Sequence, residues 1–350
     1  MKALGWGPSQ SAALAELAEP DLVPGRVIVS HGDILRVRTQ AGELRAELSG
    51  QLRHSAGHAA DLPVVGDWVA LRVEGEAARV QSVLPRSSRF SRKSAGRGSE
   101  EQVVAANVDD AFVVCGLDRD FNLRRLERYV MLVWESGARP VIVLSKRDIC
   151  AEVEERTLEA ERVAPGVPVV AISSKTGEGL EGLARFIEPA RTIALLGSSG
   201  AGKSTLLNHL AGRELQRTRE VRTSDGRGRH TTTARELFVL DNGALLIDTP
   251  GMRELQLWAG GGALRGTFED IEALAADCAF RDCGHEQEPR CAVTGAVESG
   301  TLSKDRHESY LKLKKELHWT EVRRDASAQQ VEKRKWRTIH KQARRHKPRK

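Results

Sequence analysis

The glycine-rich octapeptide GSSGAGKS at residues 197–204 lies downstream of an SKRD tetrapeptide at residues 145–148, and this order constrains the fold more than any other feature. The octapeptide satisfies G-x-x-x-x-G-K-[ST] through Gly197, Gly202, Lys203 and Ser204, and it stands between a strand-like run, TIALLG, and a helix-like run, STLLNHLAG. Backbone amides of such a turn approach phosphates closely and the helix N-terminus favours anions. Lys203 is expected to reach the β and γ phosphates and Ser204 to ligate magnesium. Ser198, Ser199, Gly200, Ala201 and Thr205 complete the expected nucleotide contacts.

SKRD also follows an apolar run, VIVLS, so Ser145, Lys146 and Asp148 fall at the end of a strand. Asp148 suits a carboxylate that accepts from the ring N–H and exocyclic amine of guanine, with Lys146 along the base. Alone, such a tetrapeptide is ordinarily a solvated turn. Its partners raise it: ISSKTGEG at 172–179, where Ser174 can offer its amide to the guanine oxygen between Ser173 and Lys175, then RHTTT at 229–233, then DTPG at 248–251. Asp248 is expected to hold a magnesium-bound water, and the Gly251 amide to meet the γ phosphate. In an ordinary GTPase the phosphate loop comes first and the base reader last. The rotated order predicts a circularly permuted GTPase.

Residues 217–233 hold five arginines and one aliphatic residue, Val221, which predicts a switch segment ordered by ligand. Thr232, or failing it Thr231, is expected to complete the magnesium shell. Residue 252 is Met where many GTPases carry a water-orienting Gln, so His230 is the catalytic candidate, against a plain solvated loop histidine.

Alternating segments between about 22 and 85, RVIVS, DILRVRT, ELRAEL, DWVALRV and ARVQSVL, predict a five-stranded β-barrel of OB-fold type. Its neighbourhood offers only Trp68 and Phe90, too few aromatics for a base-stacking platform, so contact with nucleic acid is expected to be electrostatic. RSSRFSRKSAGRG at 86–98 reads as a basic linker able to touch phosphates. From about 102 to 257, apolar runs alternate with helical stretches, which predicts a mostly parallel α/β sheet. The expected boundaries are an N-terminal extension 1–21, an OB-fold with basic linker 22–98, a permuted GTPase domain 99–262, a zinc-binding α domain 263–320 and a basic tail 321–350.

Cys278, Cys283, His285 and Cys291 follow C-x4-C-x-H-x5-C, a set of soft and borderline ligands for one structural, tetrahedral zinc with no open position. Nearby Asp282, Glu286 and Glu288 are expected to disfavour low-pKa free thiols. The five cysteines do not pair into a disulfide framework, no apolar run reaches membrane-spanning length, and a cytoplasmic monomer without a membrane partner is expected. Residues 333–350 carry ten Lys or Arg and no acid; removing those ten from the net charge of +6 leaves −4 on residues 1–332. A cationic block of this kind predicts a polyanionic partner, or else a merely solvated tail.

Taken in order, GSSGAGKS, GRGRHTTT, DTPG and CAFRDCGHEQEPRC resemble the circularly permuted ribosome-assembly GTPases called RsgA or YjeQ, over roughly residues 22–320. The resemblance implies an OB-fold, a permuted GTPase domain and a zinc domain that dock on the small ribosomal subunit and its rRNA late in maturation. It also implies that GTP hydrolysis to GDP and phosphate is stimulated by the subunit. Phosphate and magnesium roles then fall on Lys203, Ser204, Thr232 and Asp248, and the catalytic histidine on His230. Ser145 stands where that family usually has Asn or Thr, and the shorter side chain puts a bridge to the phosphate loop, and with it the tightness of guanine binding, in question. Two other readings share the motifs: a GTP-gated RNA-binding module whose hydrolysis is not required, and an ATP-driven remodelling enzyme that needs neither Asp148 nor ISSKTG.

Overall fold

A barrel and an open sheet share one hydrogen-bonded ladder in the computed structural model, which describes residues 1–31, 34–75, 77–93, 101–214, 235–248, 261–320 and 322. The barrel comprises β1 (Val23–His31), β2 (Ile34–Arg38), β3 (Glu43–Leu48), β4 (Trp68–Glu74) and β5 (Ala77–Val83). Its strand order is β1-β2-β3-β5-β4, and β4 returns to β1 to close it. The closure pairs Val23 with Leu71 and Arg26 with Trp68. Alternation along β2 and β5 turns Leu35, Val37, Ala78 and Val80 inward against Val27, Ala46, Val69 and Leu71. The five segments read from alternation are these five strands.

The basic stretch departs from the linker expectation. Arg89–Lys93 forms β6, paired antiparallel with β7 (Glu101–Ala106), and Phe90 is buried there. Arg86 is spoken for as well, because its guanidinium donates to both Asp67 oxygens and to the Ala60 and Leu62 carbonyls. Residues 94–98 lie outside the described residues.

The open sheet is built from β8 (Asp110–Gly116), β9 (Arg139–Ser145), β10 (Val169–Ala171), β11 (Thr192–Leu196), β12 (Arg235–Val239) and β13 (Leu245–Asp248). Its order is β10-β9-β8-β11-β13-β12, parallel except for β12. β8 and β11 are buried along their whole length, as continuous apolar runs covered on both faces should be. One face carries α3 (Leu123–Ser136) and α4 (Val153–Val163), the other α5 (Lys203–Ala211). From the β8/β11 boundary the chain winds to β9 and β10 on one side and to β13 and β12 on the other. That boundary is a topological switch point, and ligands bind at the carboxyl ends of strands there. Pairing of Val29 with Glu236 and Ser30 with Arg235 joins β12 to β1, so the barrel is fastened to the sheet by backbone hydrogen bonds.

Residues 1–21 do more than extend the chain. Leu4 is buried, and Trp6 meets Trp68 edge-on with ring centroids 5.0 Å apart. Beneath them Arg26, only 1 % exposed, donates to the carbonyls of Leu4, Gly66 and Asn107 and to Thr192 Oγ1, joining the N-terminus, the barrel and the first residue of β11. Burial lowers its pKa to about 10 despite Asp109 and Asp67, so the guanidinium stays charged at neutral pH.

The C-terminal module consists of α6 (Gly261–Thr267), α7 (Glu269–Ala275), the cysteine loop, α8 (Ala292–Glu298) and a long helix, α9, over 304–320. It packs on α3 of the sheet domain. Arg306 of α9 donates to Glu127 of α3, to Asp270 and to the carbonyls of Val163 and Thr267, and its guanidinium lies over Phe268. Among the described residues no helix is long and apolar enough to cross a membrane.

Candidate functional site

The carboxyl ends of the parallel strands bring the separate sequence motifs to one edge. Ser145 ends β9, the ISSKTG loop follows β10, Gly197 follows β11, and Asp248 ends β13. Gly197 has φ 143°, and a Cβ there would lie 2.2 Å from the Val114 carbonyl, so only glycine fits at the start of the loop. Gly202 caps α5 in the left-handed region, with Lys203 as the first helical residue. The Lys203 ammonium is held against the loop itself, 2.7 Å from the Gly197 carbonyl and also on that of Ser198. Thr205 is exposed and Ser204 half-buried on the first turn.

Ser145, buried at the end of β9, donates from Oγ to the Ala201 carbonyl at 2.6 Å. The bridge that the short side chain put in question is therefore made: the strand ends approach closely enough for a serine to span the gap. Lys146 follows in the left-handed region at φ 65° and pairs with Asp118 at 2.7 Å. Burial works against the Asp118 carboxylate, but the Lys146 hydrogen bond brings its pKa below the ordinary value. Asp120, two residues on and missed in the sequence, accepts from Ser198 Oγ of the phosphate loop at 2.5 Å and from Arg125 of α3. No spacing motif marked it.

Asp148 lies exposed beyond Lys146, and its Oδ1 accepts from Ser173 Oγ at 2.7 Å. The same Ser173 oxygen accepts from the amides of Lys175 and Thr176, which ties the base-reader loop to the ISSKTG loop. Ser174 Oγ is buried with no partner, an orphaned polar atom of the kind that a ligand-dependent rearrangement satisfies. Asp248 is half-buried opposite Glu236 of β12. Gly251, Thr231, Thr232 and His230 lie outside the described residues.

A second constellation lies in the C-terminal module. The ligand atoms of Cys278, Cys283, His285 and Cys291 all lie within 4.8 Å of one another. Cys278 Sγ is 3.8 Å from Cys291 Sγ, and His285 Nδ1 is 3.6 and 3.5 Å from those two sulfurs. A tetrahedron with ordinary zinc–sulfur and zinc–nitrogen bonds has edges of about 3.8 Å (S–S) and about 3.6 Å (S–N), so the donor set fits zinc. The ligands are held from outside: His307 Nε2 bonds the His285 carbonyl at 2.7 Å. Glu288 accepts from the amides of Gly284, Glu286 and Gln287. Its own backbone amide first, and then these three, bring the Glu288 carboxyl down to about 2.

The expectation about nearby acids is corrected here. Glu288 turns to the backbone rather than to the sulfurs, and the two neighbouring thiols shift in opposite directions: burial pushes Cys283 up, as expected, whereas, although burial opposes it, the Thr294 amide and His285 bring Cys291 below the ordinary thiol value.

The fold and the phosphate loop define a P-loop GTPase whose chain order is circularly permuted. Residues 83–258 match the family model of the RsgA GTPase. Among curated relatives, the small ribosomal subunit biogenesis GTPase RsgA of Syntrophotalea carbinolica is 46 % identical over 354 residues, covering 99 % of this chain and 97 % of that protein. The protein of the same name from Opitutus terrae is 42 % identical, covering 97 % and 96 %. The crystal structure of YjeQ from Thermotoga maritima superposes with a TM-score of 0.64 at 27 % identity, covering 85 % of this chain and 98 % of that one. The chain belongs to the RsgA GTPase family.

Proposed function

We propose that this protein hydrolyses GTP during late maturation of the small ribosomal subunit, that subunit binding stimulates the hydrolysis, and that nucleotide state controls release. The observation that carries the reading is the junction of base reader and phosphate loop through Ser145 and Ala201 on a permuted sheet. A guanine-specific site needs both halves, and their order along the chain is the family's own. Full-length similarity to proteins named for small-subunit biogenesis supports the assignment of the partner.

In this reading Asp148 accepts from guanine, Lys146 lies along the base, and the loop of Ser173, Ser174 and Lys175 supplies amides. The 197–205 segment wraps the phosphates, and Lys203 exchanges its carbonyl partners for phosphate oxygens. Magnesium, which neutralises phosphate charge when bound with GTP, would be held by Ser204, Thr232 and Asp248. His230 is assigned to orienting the attacking water. Cys278, Cys283, His285 and Cys291 would hold one zinc, whose four protein ligands leave it a structural role. We assign rRNA as the polyanion met by the basic tail, the cytoplasm as the location and a monomer as the working form.

The deciding experiment measures GTP hydrolysis with and without purified small and large ribosomal subunits. Selective stimulation by the small subunit is expected. Slow turnover that neither subunit changes would favour a GTP-gated binding module instead.

A further inference from the structure

The aromatic surface that the barrel lacks is found in the C-terminal module. Trp68 and Phe90 are 1 % and 2 % exposed, whereas Phe280 and Trp319 are 44 % and 60 % exposed. Phe280 lines an open cleft of about 570 Å³ whose wall includes Cys278, Cys283 and His285 of the cysteine cluster. Arg265, Arg281, Lys314 and His318 also line it, with Tyr310 at its wall under the Lys314 ammonium, 5.7 Å from the ring centroid. Trp319 stands next to His318, their ring centroids 6.2 Å apart.

Among the described residues that line the cleft the one carboxylate is Glu272, which accepts from Tyr310 Oη at 3.2 Å. A zinc ion with three thiolates and one imidazole adds a single negative charge. Three permanent cations outweigh both.

We propose that this cleft binds an unpaired nucleotide of RNA, its base stacked on Phe280 and its phosphates met by Arg265, Arg281 and Lys314, while Trp319, next to the cleft-lining His318, stacks on an adjoining base. The choice of RNA rests on the ribosomal reading above; the preference for an unpaired strand rests on the cleft. Exposed rings beside cations suit unstacked bases, whose faces are free, and a paired duplex offers the rings nothing to stack on. A volume of this size also lies within the range of small-ligand sites.

The test uses the full-length, zinc-loaded protein and a fluorescein-labelled 12-nucleotide RNA, as a single strand, as a duplex and as a strand with abasic positions, followed by anisotropy. Phe280→Ala and Trp319→Ala should each weaken single-strand binding about tenfold, within the range for one base–aromatic stack, and leave duplex binding unchanged. Phe280→Trp should restore it, and the abasic strand should bind wild-type protein as weakly as the variants bind the intact one. Arg281→Glu and Lys314→Glu should weaken every RNA and flatten the salt dependence. Zinc content and thermal melting establish that each variant is folded.

Wild-type affinity of Phe280→Ala for the single strand, or equal losses on strand and duplex, overturns the proposal. Absence of small-subunit stimulation in the wild-type protein would instead overturn the ribosomal reading, and the oligonucleotide result would stand apart from it.

Discussion

Ser145 Oγ donates to the Ala201 carbonyl at 2.6 Å, across 56 residues of chain. The last residue of β9 thus fixes the phosphate loop next to the base-reader loop. Ser145→Ala leaves the Ala201 carbonyl short of a partner in a buried setting, which costs on the order of 1–3 kcal/mol. We expect GDP and GTP affinity to fall about tenfold by fluorescent-nucleotide titration. Ser145→Thr should keep most of the wild-type affinity, because the hydroxyl survives. Unchanged affinity in the alanine variant would show that the loop holds its position without the bridge.

In the proposed site guanine selectivity falls to Asp148, whose Oδ1 accepts from Ser173 Oγ. Replacing the carboxylate by an amide reverses one side of the recognition: an acceptor that met the exocyclic amine of guanine becomes an N–H that meets the carbonyl of xanthine. Asp148→Asn should lose most GTP affinity and gain XTP affinity, read in a competition assay between the two nucleotides. Ser173→Ala should loosen both loops and weaken GTP binding without switching the base. Retained preference for GTP in Asp148→Asn would remove Asp148 from the base site.

The parts visible in the sequence were those with local periods or fixed spacings. The five barrel strands announced themselves by alternation, the phosphate loop by its glycines, and the cysteine cluster by C-x4-C-x-H-x5-C. What stayed hidden were pairings between distant residues, which leave no local pattern. The β4–β1 closure and the β1–β12 seam are of this kind. So is Arg26, which looks like an ordinary strand residue until four segments converge on it. Asp120 was missed because its partner, Ser198, lies 78 residues away. The reach of Ser145 was misjudged for a related reason, since side-chain length says nothing without the distance between strand ends.

Metal removal should act on the C-terminal module first, because Cys283 and Cys291 are buried with Ile271 of α7, Val293 of α8 and Leu313 of α9 at the end of the core that continues into α3. Chelation should release one equivalent of zinc, lower the melting temperature of the module and weaken RNA binding, while GDP binding at the sheet edge persists. Glu288→Ala removes the carboxylate that accepts from three loop amides, and should weaken zinc retention about tenfold in a competition titration with a chromogenic chelator. The sign of the pH effect follows from a folded-state pKa of about 2, below the ordinary value. The Glu288 contribution is fully present above the unfolded value near pH 4.5 and fades only as pH falls through about 2. Equal zinc retention by wild-type and Glu288→Ala protein at pH 7 would refute this role.

Activity should depend on the residue assigned to the attacking water. His230→Ala is expected to abolish subunit-stimulated hydrolysis, while fluorescent GTP analogues still bind within about threefold of wild type. Unchanged stimulated turnover would return His230 to the status of a solvated loop residue.

Among the described residues, the seam between the GTPase sheet and the C-terminal module includes the buried ion pair Glu127–Arg306 beside the half-exposed pair Arg128–Glu316. Glu127 is fully buried on α3, and it accepts from Arg306 at 2.9 Å, from Ser309 at 2.5 Å and from Arg124 at 2.6 Å. Breaking a buried pair by removing one partner costs up to about 3–5 kcal/mol, and less here because Arg124 still meets Glu127 and Asp270 still meets Arg306. Glu127→Leu and Arg306→Met should therefore each destabilise the module in urea unfolding followed by tryptophan fluorescence. Combining Glu127→Leu with Arg306→Met removes both charges, so the double variant should lose less than the two single losses together. Asp270 tempers this recovery, because it also loses Arg306 but is partly exposed and can return to solvent. α3 begins just after Asp120, which holds Ser198 of the phosphate loop, and carries Glu127 one turn further on. The same variants should then blunt any change that nucleotide binding produces in hydrogen exchange along 304–320. Strict additivity of the two single losses, with exchange along that helix still responding to nucleotide, would mean that the pair neither couples energetically nor carries the signal.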